Sequence, residues 1–169
     1  RSTDSGLTWE RATVDGGAGV DSHIRDLAYD TLTPTIAYAT TESSGLYRTA
    51  DGGITWQRTG QTLPALDHGD AVAVEPIAPY RVFVATYDGL YVSADHGLTW
   101  QQAPAPLKNV FVNRLAFTNA TSPVLYAATR SGLYRSYDDV SVWQRSAGAL
   151  GLVPVPALAI GQAGERSLI

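Results

Sequence analysis

At 169 residues, with 44% hydrophobic and 17% charged side chains, the chain is long enough to bury a core and too apolar to be disordered. A net charge of −4, a single lysine (Lys108) beside eleven arginines and no basic block argue against nucleic acid as a partner. No apolar run reaches the roughly 18–20 residues that span a bilayer, so no membrane insertion is expected, and the lack of cysteine excludes disulfides, thiolate nucleophiles and cysteine-ligated zinc.

The first recognisable element in chain order is Ser2-Thr3-Asp4-Ser5-Gly6-Leu7-Thr8-Trp9. A Gly-rich stretch follows, from Asp15 to Asp21 and His23. Three short runs rich in β-branched and aromatic residues come next: Asp26–Tyr29, Ile36–Thr40 and Gly45–Arg48. The opening motif then returns as Thr49-Ala50-Asp51-Gly52-Gly53-Ile54-Thr55-Trp56. The same order recurs twice more. Ala71–Val74, Val82–Thr86 and Gly89–Val92 precede Ser93-Ala94-Asp95-His96-Gly97-Leu98-Thr99-Trp100. Arg114–Phe117, Leu125–Thr129 and Gly132–Arg135 precede Ser136-Tyr137-Asp138-Asp139-Val140-Ser141-Val142-Trp143, in which Val140 replaces the glycine and Val142 the threonine. Ala157–Ile160 begins the series again. The motif tryptophans are 47, 44 and 43 residues apart.

Each unit therefore contains four short strands, A to D, separated by Gly, Pro, Asp and Ser, with no sustained helical stripe. Four strands in about 40–50 residues is the size of one propeller blade. The motif lies at the hairpin from C to D. There the aspartate can accept hydrogen bonds from loop amides, the glycine can take a positive φ, and the tryptophan opens strand D and can pack on the neighbouring hairpin. Asp4, Gly6, Trp9, Asp51, Gly53, Trp56, Asp95, Gly97, Trp100, Asp138 and Trp143 are accordingly assigned structural roles, with a looser turn expected at the worn fourth copy.

The pattern S/T-x-D-x-G-x-T-W, repeated with Gly-Leu-Tyr just upstream, resembles the BNR/Asp-box family along essentially the whole chain. That family includes sialidases, xyloglucanase-type glycoside hydrolases, sortilin-type receptors and photosystem II assembly factors. The resemblance implies an all-β fold, a β-propeller of four-stranded antiparallel blades with Asp-box C–D hairpins lying away from the functional face. It also favours an extracellular or cell-surface location. The register predicts the end of a blade over 1–22, complete blades over 23–60, 69–103 and 111–147, and the start of another over 155–169. Such a segment is expected to be part of a larger propeller, completed by remaining blades or by a partner chain.

Propeller ligands are expected on the face opposite the boxes, formed by the D-to-A and B-to-C connections. Candidate binding residues there are Asp21 and His23, Asp67, His68 and Asp70, Tyr87 and Asp88, and Arg130. Asp and His could bind metal or exchange protons, but Gly-rich polar loops use such residues for turns and the three histidines lack metal-ligand spacing. No metal and no cofactor are expected. The run Gly16-Gly17-Ala18-Gly19 lacks the strand–turn–helix setting of a nucleotide fingerprint. Neither a pair of carboxylates facing a sugar nor an arginine cluster of the sialidase kind is evident, so no catalytic residue is assigned. The expected function is a non-catalytic binding or scaffolding module recognising a protein or glycan through a loop face. The alternative is a segment of a secreted glycoside hydrolase, and the third is an assembly-factor-like propeller.

Overall fold

The computed structural model describes residues 1–14, 23–60, 63, 69–77, 81–118, 121–137, 142–163 and 166–168. Among the described residues the fold is β-structure with one 3₁₀ turn, Ala149–Gly151. After a two-residue strand β1 (Thr13–Val14), three antiparallel sheets follow in sequence. Blade 1 comprises β2 (Ile24–Tyr29), β3 (Ala37–Thr41), β4 (Leu46–Thr49) and β5 (Thr55–Thr59). Blade 2 comprises β6 (Gly69–Val74), β7 (Val82–Thr86), β8 (Gly89–Ser93) and β9 (Gln101–Gln102). Blade 3 comprises β10 (Val112–Phe117), β11 (Leu125–Thr129), β12 (Gly132–Ser136) and β13 (Gln144–Arg145). These are the four-stranded antiparallel propeller blades that the repeat predicts, with the Asp-box segments between the third and fourth strands.

The two ends depart from the simple reading. A fourth strand was expected to start at Trp9, but β1 begins at Thr13 and pairs parallel to β5, Val14 opposite Trp56. Trp9 is 75% exposed, whereas Trp100 and Trp143 are buried. Ala157–Ile160, expected as a strand A, has no ladder partner and forms no strand. A short hairpin of β14 (Gly161–Ala163) and β15 (Arg166–Leu168) follows it.

Alternation along the strands explains how the sheets stack. On β3, Tyr38 and Thr40 point to one face and Ala37, Ala39 and Thr41 to the other, and all five are buried. Tyr38 and Leu46 of blade 1 pack with Val72, Val82, Val84, Tyr91 and Trp100 of blade 2. The opposite face of blade 2, with Phe83, Ala85 and Leu90, packs with Leu125, Ala127, Tyr134 and Trp143 of blade 3. The far face of blade 3 repeats the theme, Leu133 and Ala128 meeting Val155, with Leu158 against them. One leucine or valine from each connection after strand D completes each layer: Leu63, Leu107 and Val155. The core is thus a series of apolar layers between blades, as in stacked repeats that cannot bury their faces alone.

The Asp boxes bind their own loops, and the box at Asp95 is also fixed to the preceding blade. The Asp95 carboxylate accepts from the Thr99 amide at 2.8 Å, the Thr99 hydroxyl at 2.5 Å, the Leu98 amide at 3.1 Å and the Ser93 hydroxyl at 2.7 Å. Asp51 repeats this set with Thr55, Ile54 and Thr49, and Asp4 holds Thr8 and Ser2. Donation by the threonine hydroxyl and amide favours the ionised carboxylate, so the Asp4 and Asp95 carboxyls lie at about 2, below the usual 3.8, and Asp51 is also lowered. Gly6, Gly53 and Gly97 have φ of +88°, +84° and +85°, and the residue before each is also left-handed, including non-glycine Ser5 and His96. From blade 1, the Tyr38 hydroxyl donates to the His96 carbonyl and the Thr59 hydroxyl to the Gly97 carbonyl. Asp138 in the fourth copy lies outside the described residues.

Candidate functional site

The connections from second to third strand lie at the end of the blades opposite the boxes. A buried threonine shapes each turn. The Thr41, Thr86 and Thr129 hydroxyls donate to the carbonyls of Gly45, Gly89 and Gly132 and accept amides from Ser44, Asp88 and Ser131. The three glycines take positive φ, as a tight reversal requires. Connections between blades then press on these turns. The Asn109 amide donates to the Asp88 carbonyl, the Glu42 amide to the His23 carbonyl and the Arg130 amide to the Phe111 carbonyl. A bulge early in the first strand of every blade, at Ile24/Asp26, Gly69/Ala71 and Val112/Arg114, redirects the backbone at this same end.

Two of the residues singled out from the sequence, Tyr87 and Arg130, meet here through a third that sequence reasoning missed. Phe111, in the connection entering blade 3, has its ring centroid 5.9 Å from that of Tyr87, edge to face at 78°. The Arg130 guanidinium lies over the same Phe111 ring at 4.3 Å. Tyr87 is 65% exposed and Arg130 is exposed, so the tyrosine ring and the guanidinium edge both face solvent. A guanidinium resting on a ring loses little freedom when it binds and keeps its in-plane N–H groups free to donate. Among the described residues no carboxylate pairs with Arg130. Asp88, beside Tyr87, is exposed, and its carbonyl accepts from the Asn109 amide and the Gln102 side chain. The signal available in the sequence was positional, since Phe111 holds the same place before its blade as His23 does before blade 1.

A second cluster lies on blade 1. His23 Nδ1 is 2.9 Å from Glu42 Oε2, and Arg25 donates to Glu42 Oε1 at 2.8 Å. His23 is 89% exposed, and ion pairs so open to water contribute little to stability. Asp21, Asp67 and His68 lie outside the described residues, and Asp70 is placed only as backbone in β6. Among the described residues no three His, Asp or Glu side chains gather in a way that could hold a metal ion, and no helix is long and apolar enough to cross a membrane.

An apolar cleft of about 460 Å³ lies elsewhere, between blade 1 and the N-terminal segment, lined by Trp9, Ile24, Leu27, Ala39, Tyr47 and Trp56. Ala37, Ala39, Tyr47 and Trp56 occupy the repeat positions of Val82, Val84, Tyr91 and Trp100, through which blade 2 packs on blade 1. The cleft is therefore a blade-packing face, not the equivalent of the turn cluster.

Residues 47–58 match the BNR/Asp-box repeat model. No curated protein matches the chain. Solved structures do. An ancestral GH74 enzyme is 23% identical with a TM-score of 0.61, over 73% of this chain and 18% of that one. The GH74 xyloglucanase from Xanthomonas campestris is 19% identical with a TM-score of 0.59, over 75% and 24%. YCF48 bound to D1 peptide is 21% identical with a TM-score of 0.57, over 73% and 40%. The chain spans less than half the length of each, and at these identities the likeness is one of fold.

Proposed function

We propose that this chain, with a BNR/Asp-box repeat match at residues 47–58 and a fold of propeller blades, is a non-catalytic binding module that recognises a protein or glycan through its turn face. The observation carrying this reading is the Tyr87–Phe111–Arg130 cluster, where two blades and the connection between them present an exposed ring and a guanidinium with no carboxylate partner among the described residues. Aromatic and arginine side chains are the types enriched where surfaces bind. Short turns held by threonine and backbone bonds favour a shallow, preformed recognition surface over a deep pocket. The peptide carried by YCF48 supports a protein ligand, and the xyloglucanase supports a glycan. Hydrogen–deuterium exchange with and without candidate ligands tests the reading. Protection is expected over 86–89, 108–112 and 129–131. Protection confined to the box rim, 51–54 and 95–98, overturns it.

The GH74 neighbours favour a second reading, a segment of a glycoside hydrolase whose catalysis requires more than this chain. A glycan-release screen on the full-length source protein separates the two, and turnover that requires residues of these blades would establish the second.

A further inference from the structure

We infer that the ligand of the turn face is an acidic glycan, read as a uronic acid whose ring stacks on Tyr87 and whose carboxylate pairs with Arg130. This deepens the binding-module reading and rests on it. Tyr87 offers a ring that is 65% exposed and is fixed from one side by the Phe111 contact. Arg130 offers a guanidinium stacked on Phe111 at 4.3 Å, with no carboxylate partner among the described residues. In a chain of net charge −4, Arg130 has cationic company on this face. Lys108 is exposed where its backbone bridges to Gly89, and exposed Arg145 donates to the Ser131 carbonyl beside Arg130. Asp88 is the opposing charge on the same turns.

The two exposed groups, which share Phe111, favour different chemistry. An aromatic ring takes an apolar C–H face, and a planar guanidinium takes a planar carboxylate through two parallel N–H···O bonds. A hexuronate carries both, an apolar ring face and a carboxylate at its edge. A neutral sugar offers Arg130 only uncharged hydroxyl acceptors in place of a bidentate carboxylate, and an isolated acidic side chain leaves Tyr87 unused. Phe111 acts as a positioning residue, touching both groups while its own face is covered by Arg130.

Titration calorimetry with hexagalacturonate, its carboxyl-reduced neutral counterpart and hexaglutamate tests the inference. Hexagalacturonate is expected to bind, with the reduced oligomer at least tenfold weaker. Arg130→Gln should remove most of that difference and Arg130→Lys should restore part of it. Tyr87→Ala should weaken both sugars. All three substitutions are at exposed positions, so unchanged melting temperatures should verify folding. Equal binding of the charged and reduced sugars, with Tyr87→Ala still damaging, overturns the acid preference and leaves the binding face standing. Hexaglutamate binding with Arg130 dependence, without hexagalacturonate binding, overturns it in favour of an acidic protein segment. If none of the three binds the chain, the uronate assignment falls, and the exchange experiment with other ligands still decides whether the face binds anything.

Discussion

At the scale of single residues, the Asp-box carboxylates have one dominant physical consequence. Held by threonine hydroxyls and amides, Asp4 and Asp95 titrate at about 2 in the folded chain against 3.8 ordinarily, and Asp51 is also depressed. A carboxyl lowered on folding contributes stability that is fully present above about pH 4 and is lost as pH falls through its folded value. Melting temperature is therefore expected to drop as pH is lowered from about 4 towards 2. Asp95→Asn should lower the melting temperature at neutral pH and flatten this acid dependence. A curve for that variant parallel to the wild type would show that Asp95 does not contribute to it. The Trp9 and Trp100 indole N–H groups donate to the carbonyls of Gly6 and Gly97, whereas the buried Trp143 Nε1 has no partner among the described residues, which leave out the matching position, Val140. Its position still follows the apolar layer, since it remains packed against the Phe83 side of blade 2.

At the scale of elements, the turns on the proposed binding face depend on glycines with no room for a side chain. A Cβ at Gly132 (φ +130°) would lie 2.3 Å from the Gly151 carbonyl, and one at Gly89 (φ +121°) 2.6 Å from that of Leu107. Gly132→Ala and Gly89→Ala should each cost on the order of 2–3 kcal/mol by denaturant unfolding. Gly52→Ala, with nothing near its Cβ but φ +70°, should cost less. The strands and box hairpins were legible from sequence because alternation and turn residues recur at fixed spacing. Three features were not legible. The roles of Thr41, Thr86 and Thr129 look like ordinary strand ends in sequence, because a hydroxyl that closes a turn differs from one on a pleat only by its partner. Phe111 was missed because its contacts come from two separate turns. The parallel attachment of β1 to β5 depends on an edge that no local pattern specifies.

At the scale of the whole molecule, the apolar core lies between blades, in layers that neighbouring sheets share. Phe83 is fully buried in the layer shared by blades 2 and 3, so Phe83→Ala should cost about 3–5 kcal/mol and disturb both blades together. This sandwich of layers holds the turns of neighbouring blades in fixed relation, and it is what allows Tyr87 of one blade and Arg130 of the next to share Phe111. The central claim is that recognition occurs on this turn face and that the boxes serve the fold. Its most direct measurement is ligand affinity for Tyr87→Ala/Arg130→Ala beside Leu98→Ala, the latter on a box tip where the leucine is 71% exposed. The account predicts binding lost in the double variant and unchanged in Leu98→Ala. Binding retained by the double variant and lost on changing the box tip would contradict it.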